Sequence, residues 1–254
     1  MRDFSIEVFD VLGSTNDGIL EAGRTDRPEG TTYIALSQSR GRGRGSHVWW
    51  SPPGAGLWMS TLLRPSTRPS QWGGISLLAG TAVRDALVSL GVPGVRLYWP
   101  NDLQAGRRKI GGILGEVRSQ GPRAWIALGI GVNIDFTPAH VRAAMPADIG
   151  AIATSMTECG HPTTTDPVAI ARTILETLWP LYERFQAGEP LSSLVESGLA
   201  HVGSEVEVRA PAGAPWRGRV EGLGSGGELL VRPLAPEGAV VPITGGEVVY
   251  DPED

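Results

Sequence analysis

Residues 109–134, KIGGILGEVRSQGPRAWIALGIGVNI, decide how this chain folds. Lys109 to Val117 and Ala124 to Ile134 are both rich in branched apolar side chains, and a Gly-Pro turn lies between them, so the segment reads as two paired strands. Glycines interrupt both runs, at Gly111-Gly112 and at Gly129 and Gly131. Glycine inside a strand has no side chain to pack and marks a place where a ligand or another backbone comes close. Working outward, Val95 to Trp99 is a short strand stopped by Pro100, and Leu57 to Leu63 is another. Between these two, Ile75, Leu78, Ala79, Val83, Ala86, Leu87 and Leu90 follow helical spacing, which predicts an amphipathic helix over about 71–90.

Toward the N-terminus, Phe4 to Leu12 and Thr31 to Ser37 read as strands. Ser14-Thr15-Asn16-Asp17 supplies capping residues ahead of Ile19, Leu20 and Ala22, a helix start. On the C-terminal side, Asp166-Pro167 opens a helix with Ile170, Ile174, Leu175 and Leu178 on its buried face; Pro180 is predicted to kink or end it. Beyond Ala200 the texture changes to short strand-like pieces between Gly/Pro turns, at 205–209, 217–222, 228–232 and 246–250. That pattern predicts a small β-barrel of the SH3 type. Mixed strands and helices followed by an all-β module make an α+β protein of two domains, 1–200 and 201–254.

Composition narrows the class. Of the 254 residues 41% are hydrophobic and 19% charged, with a net charge of −5, which excludes a disordered or strongly basic chain. No apolar run approaches the ~20 residues that span a bilayer, and MRDFSIEVFD lacks the apolar core of a signal peptide. The single cysteine, Cys159, excludes an internal disulfide framework and a multi-cysteine metal site. A cytoplasmic, soluble protein is expected. Two skews stand out. The 22 basic residues are 21 arginines and one lysine, Lys109, so either arginine bias spared it by chance or the position needs a compact ammonium. Six of the eight tryptophans, at 49, 50, 58, 72, 99 and 125, fall in the first half, as core or as the wall of a ligand pocket.

Three segments carry chemistry. In Gln38-Ser39-Arg40-Gly41-Arg42-Gly43-Arg44-Gly45, alternate glycines let backbone N–H groups approach a ligand while alternate arginines offer guanidinium forks to carboxylate or phosphate. The bland reading is an RGG-like flexible segment or linker. No Gly-Lys-Ser/Thr follows and no GxGxxG opens a helix here, so neither a Walker A loop nor a Rossmann fingerprint is present. The second segment is Trp99-Pro100-Asn101-Asp102-Leu103, seven residues ahead of Lys109-Ile110-Gly111-Gly112. It is either a simple turn or a carboxylate and an ammonium brought round one cavity. The third is Gly129-Ile130-Gly131-Val132-Asn133, a glycine-broken strand that is uninformative alone.

Taken together, in order and spacing, these segments resemble the biotin–protein ligases. The resemblance rests on Ser14-Thr15-Asn16, Gln38 with Gly41-Arg42-Gly43-Arg44, Trp49, Ser51-Pro52, Trp99-Pro100-Asn101-Asp102, Lys109 with Gly112-Ile113-Leu114, and Gly129-x-Gly131-x-Asn133. It runs from about residue 5 to the C-terminus. It implies a class II aminoacyl-tRNA synthetase-like catalytic domain followed by an SH3-like domain. It also implies an enzyme that makes biotinyl-5′-AMP from biotin and ATP, with Mg²⁺, and passes biotin to a lysine of a biotin carboxyl carrier domain. By motif, Ser14, Thr15, Asn16 and Gln38 are expected to hold the ureido ring, with Gly41 and Gly112 beside the vitamin. Arg42, Gly43 and Arg44 are expected over its carboxylate and the phosphate. Lys109 is expected to reach the carboxylate and α-phosphate, and Asp102 to orient the acceptor lysine. Trp49, Asn101 and Asn133 are expected on the adenylate side.

The sequence departs from the family pattern in two places. Tyr98 stands where a lysine usually precedes the Trp-Pro-Asn-Asp run, with Arg107 or Arg108 as replacement cations, and Ser46 and His47 stand where glycine and arginine are usual. The likeness starts without the helix-turn-helix of bifunctional members, so no operator DNA and no membrane are expected among the partners. Lipoate–protein ligase is the nearest alternative. A nucleic-acid module using the arginine loop is the other, and the net charge of −5 argues against it. Segment 38–50 is expected to be mobile until an anion arrives, and 135–165, with Cys159 and His161, carries no assignable chemistry.

Overall fold

The computed structural model describes residues 4–161, 166–195, 198–200, 202–209, 213–236 and 238–250. A seven-stranded sheet forms its centre, in the order β1-β2-β3-β7-β6-β5-β4. Its strands are β1 (Ile6–Leu12), β2 (Thr32–Gln38), β3 (Gly56–Leu63), β4 (Val95–Tyr98), β5 (Asp102–Ala105), β6 (Arg108–Gln120) and β7 (Arg123–Asn133). Only β1 and β2 run parallel, and helix α1 (Thr15–Arg24) supplies the crossover a parallel pair needs. The expected hairpin is β6 with β7, paired from Gly111↔Val132 to Gln120↔Arg123. Gly121 takes a φ of 60°, which its two-residue turn requires ahead of Pro122.

Sequence neighbours on a strand point to opposite faces, and the sheet uses both. Leu62, Trp125 and Ala127 pack with Ile19, Leu20 and Ala22 of α1. Leu63, Ile126 and Leu128 turn the other way, into the main core with α2 (Ile75–Ser89) and α5 (Pro167–Gln186). All eight residues of β3 are buried, as befits a strand with helices on both faces. Gly23 lets α1 come down on the sheet, since a Cβ there would lie 2.1 Å from the Trp125 indole.

A second sheet, five-stranded and antiparallel, follows in the order β11-β10-β9-β8-β12. It comprises β8 (Glu205–Arg209), β9 (Trp216–Leu223), β10 (Leu229–Pro233), β11 (Val241–Ile243) and β12 (Glu247–Tyr250). Its inner residues, among them Val206, Val220, Leu229 and Val231, join the same main core as α2 and α5. Trp99 Nε1 donates to the Gly227 carbonyl at 3.0 Å, and the Tyr98 and Tyr250 rings meet edge to face at 5.0 Å.

Several expectations need correction. The 71–90 helix begins as a 3₁₀ turn over Pro69–Gly74 and becomes α-helical only at Ile75. Of the two outcomes expected at Pro180, an end to the helix is not seen: α5 runs on to Gln186, and the proline is exposed, so water can reach the carbonyl its ring leaves unpaired. The Asp102 turn continues as a four-residue strand, β5. Short elements in low-periodicity stretches were not foreseen: β11, α3 (Ala139–Ala144), α4 (Ala147–Ile152) and α6 (Leu191–Val195).

Candidate active site

The face of the sheet that carries α1 becomes polar and glycine-rich beyond it: Trp58 and Ser60 on β3, Gly129 and Gly131 on β7, Gly112 on β6. Over this floor lies a cavity of about 1050 Å³. Its wall takes in Ser14, Thr15, Asn16 and Gln38 at one end, and Arg42, Gly43, Arg44 and Trp49 from the loop. Asn101, Asp102, Lys109 and Gly112 come from the far strands. Most of the residues singled out from sequence thus meet around one space.

Two of them do not. Gly41 lies behind the loop, where a Cβ would sit 2.4 Å from the Trp49 carbonyl, so this glycine serves chain packing. Asn133 is buried off the cavity, and its side-chain amide donates to the Lys109 and Thr154 carbonyls at 3.2 and 2.9 Å. It braces the strand that bears Lys109 against the Thr154 segment.

The position of Lys109 follows from an irregularity. Leu103 pairs with Gly111, yet Gln104 pairs with Lys109, so Ile110 is an extra residue in β6. One extra residue reverses the alternation of side chains. Lys109 therefore shares the cavity face with Asp102 and Gly112, while Ile110 enters the core. Its Nζ donates to Asp102 Oδ1 at 2.6 Å and stands 5.4 Å from the centre of the Trp49 ring. That ring lies against Gly112 and Gly131, where Cβ atoms would come within 3.1 and 2.7 Å of it. The glycines of the two strands, paired with each other, are the bed of an indole.

The loop carries its own hydrogen bonds. Gln38 and Ser51, Gly41 and Trp49, and Gly43 and His47 are joined by backbone hydrogen bonds of 2.8–3.0 Å, which make an irregular hairpin. Its arginines do not face one another. Arg42 is gripped by Asp17 (Nη1 to Oδ1, 2.8 Å) and Glu116 (Nη2 to Oε2, 2.9 Å). Hydrogen bonding to Asp17 is the main reason its guanidinium is held above the usual range, with burial opposing. Arg44 Nη1 reaches Asn101 Oδ1 at 3.4 Å, and Asn101 Nδ2 donates to the Ile113 carbonyl at 2.8 Å.

At the other end the polar side chains satisfy one another. Gln38 Oε1 accepts from the Thr15 backbone at 2.8 Å and Gln38 Nε2 donates to Ser51 Oγ at 2.9 Å. Ser60 Oγ lies 2.7 Å from Thr15 Oγ1 and donates to Asn16 Oδ1 at 2.5 Å. Asn16 Nδ2 donates to Glu116 Oε2 at 2.6 Å and to the Leu114 carbonyl at 3.2 Å. Ser60 and Glu116 escaped the sequence reading, since an isolated serine or glutamate inside a strand carries no local signal.

Also missed was the wall built by 146–152 and by the second sheet, through Pro146, Asp148, Ile149 and Ile152, and Glu247, Val248 and Tyr250. The tryptophans divide as core (Trp72, Trp125) and cavity wall (Trp49, Trp50, Trp58, Trp99). Arg107 is on the wall near Tyr98, whereas Arg108 donates to the Gly150 carbonyl. Burial pushes both the Tyr98 and the Tyr250 hydroxyl up. Among the described residues no group of three or more His, Cys, Asp or Glu side chains gathers as a metal site, and no helix is long and apolar enough to cross a membrane.

A mixed α/β sheet with a polar pocket, a cationic loop and one ammonium on its wall fits proteins that activate a carboxylate, and comparison with known proteins gives the family. The model of the biotin/lipoate A/B protein ligase family matches residues 8–133. The bifunctional ligase/repressor BirA of Bacillus subtilis is 31% identical over 225 residues, covering 87% of this chain and 67% of that protein. The biotin–[acetyl-CoA-carboxylase] ligase of Mycobacterium tuberculosis is 30% identical over 251 residues, 96% and 88% of the two chains. The solved structure of the Aquifex aeolicus biotin protein ligase in complex with biotin and ATP shares the fold. Its TM-score is 0.78 at 24% identity, and the match covers 97% of this chain and 98% of that one. The chain belongs to the biotin/lipoate A/B protein ligase family.

Proposed function

We propose that this chain is a biotin–protein ligase. It activates biotin with ATP to biotinyl-5′-AMP, with loss of pyrophosphate, and transfers the acyl group to a lysine of a biotin carboxyl carrier domain. The observation that carries the reading is one continuous cavity that joins a hydrogen-bonding end to a cationic centre at Lys109. Relatives of this chain that are named as biotin–[acetyl-CoA-carboxylase] ligases, aligned over most of its length, support it.

In this reading the bicyclic ring lies between Ser14, Thr15, Asn16 and Gln38, with its carboxylate toward Gly43, Arg44, Gly112 and Lys109. As the carboxylate oxygen attacks the α-phosphorus and pyrophosphate departs, negative charge grows beside Lys109 and Arg44, and fixed cations stabilise it without reorganising. Trp49 and Asn101 take the nucleotide side. Asp102 then orients the acceptor amine, which attacks the acyl carbon; the acyl C–O bond to phosphate breaks, AMP leaves, and the amine's proton passes through Asp102 to water. The wall carboxylates do not build a cage for Mg²⁺: Asp102 is engaged by Lys109, and Asp148 and Glu247 belong to separate elements. The ion would arrive on ATP, held by phosphate and water, and no step is assigned to it.

For the fold, the reading adds a class II synthetase-like catalytic domain over 1–200 and an SH3-like module over 201–254, supported by the five-stranded antiparallel sheet. ATP–pyrophosphate exchange tests the function: biotin should drive it, lipoate should not, and labelled biotin should then appear on a carrier-domain lysine. Exchange with lipoate alone would move the chain to the other branch of its family. Salt-sensitive binding of nucleic acid without exchange would point to the arginine loop as a nucleic-acid surface, although Arg42 is turned inward onto carboxylates.

A further inference from the structure

We propose that Glu116 is a positioning residue that locks the cationic loop to the ring end of the vitamin site, and that Arg42 serves this latch rather than the reacting anion. The inference rests on the ligase reading and assigns different tasks to two arginines that look equivalent in sequence.

Glu116 Oε2 is the meeting point. It accepts from Asn16 Nδ2 at 2.6 Å and from Arg42 Nη2 at 2.9 Å, and Arg42 Nη1 is spent on Asp17 at 2.8 Å. A guanidinium clamped between two carboxylates has its charge matched and two of its edges used, so a third anion gains little from it. Arg44 lies on the cavity wall, and among the described residues its guanidinium makes one long contact, 3.4 Å to the neutral Asn101 side chain, which leaves it the better partner for phosphate.

The hydrogen bonds also form a circuit. From Arg42 they pass through Glu116, Asn16, Ser60, Thr15 and Gln38 to Ser51, whose hydroxyl donates to the Trp49 carbonyl at 3.0 Å. The circuit begins and ends on the 38–51 loop and crosses the floor where the ring would lie. With Glu116 in place the Asn16 amide has one orientation, Nδ2 toward Glu116 and Oδ1 toward Ser60. Without it the amide is free to turn and the loop loses its anchor on β6.

Glu116→Ala, Arg42→Ala and the double variant test this in two ways. In ligand-free protein, amides of residues 42–48 should exchange about tenfold faster in each variant, with β3 unchanged. In ATP–pyrophosphate exchange, the biotin KM should rise about tenfold in each single variant and no further in the double, as for two members of one interaction, while kcat and the ATP KM stay within about twofold. Glu116→Gln keeps an acceptor for Asn16 and loses the charge facing Arg42, so it should fall between wild type and Glu116→Ala. Multiplying effects in the double variant, unchanged amide exchange in the loop, or a large kcat loss in Arg42→Ala alone would each overturn the latch. A wild-type protein without biotin-driven exchange would overturn the ligase reading, and amide exchange alone would then decide whether the latch exists.

Discussion

At the scale of single residues, the cavity's cationic centre depends on Lys109. Its Nζ touches Asp102 at one point, 2.6 Å away, and lies over the Trp49 ring at 5.4 Å from its centre. A guanidinium is broader and planar and cannot reproduce a one-point contact in that space. Lys109→Ala should therefore lower single-turnover formation of the adenylate by about 10²–10³-fold, the range for loss of one preorganised charge partner. Lys109→Arg should recover less than about a tenth of the wild-type rate. Both substitutions should leave the circular-dichroism spectrum unchanged. Lys109 and Asp102 were legible from sequence because an ammonium unique in the chain and a carboxylate after Trp-Pro-Asn are rare local patterns. Glu116 was not, because its importance comes from Asn16 and Arg42, 100 and 74 positions away.

At the scale of elements, periodicity located the strands and long helices, while irregularities set the site. The bulge that turns Lys109 toward the cavity depends on the register between β5 and β6, which no local pattern encodes. Helix α5 shows the opposite case, a strong local stop signal that does not end the element. Pro180 sits on an exposed face, so water satisfies the carbonyl that its ring leaves unpaired, and the buried row through Trp179, Tyr182 and Phe185 carries the helix onward. Pro180→Ala should stabilise the protein by about 1–2 kcal/mol in urea unfolding: it restores a helical hydrogen bond and gives back part of the gain as unfolded-chain entropy.

The Tyr98–Tyr250 contact carries a pH prediction. Tyrosine in an unfolded chain ionises near 10, whereas burial holds Tyr250 protonated to higher pH, against a smaller opposing effect from the Trp99 backbone. The folded state thus keeps a proton that the unfolded state has lost, and stability should fall as pH climbs above about 10. Tyr250→Phe should flatten that alkaline limb, measured as urea midpoints from pH 8 to pH 11.

For the whole molecule, the two sheets share a core. Val206, Val220, Leu229 and Val231 pack in the same cluster as residues of α2 and α5, and a Cβ on Gly74 would strike Leu191 at 1.9 Å and approach the Gly226 carbonyl at 3.0 Å. Composition marked the change of texture after Ala200, but only packing shows how tightly the β-rich segment is joined to what precedes it. Urea unfolding should accordingly give one transition, with coincident midpoints for tryptophan fluorescence and far-ultraviolet circular dichroism. Two separated transitions would show that the sheets unfold independently.

The lone lysine also has a bearing on chemistry done to the protein. Acetylating or methylating reagents that seek side-chain amines have one target here, and it stands in the cavity with its nitrogen bound to Asp102. Mass spectrometry of that single adduct should report occupancy directly. Modification of Lys109 should slow when biotin and ATP fill the pocket, with no background from other lysine side chains.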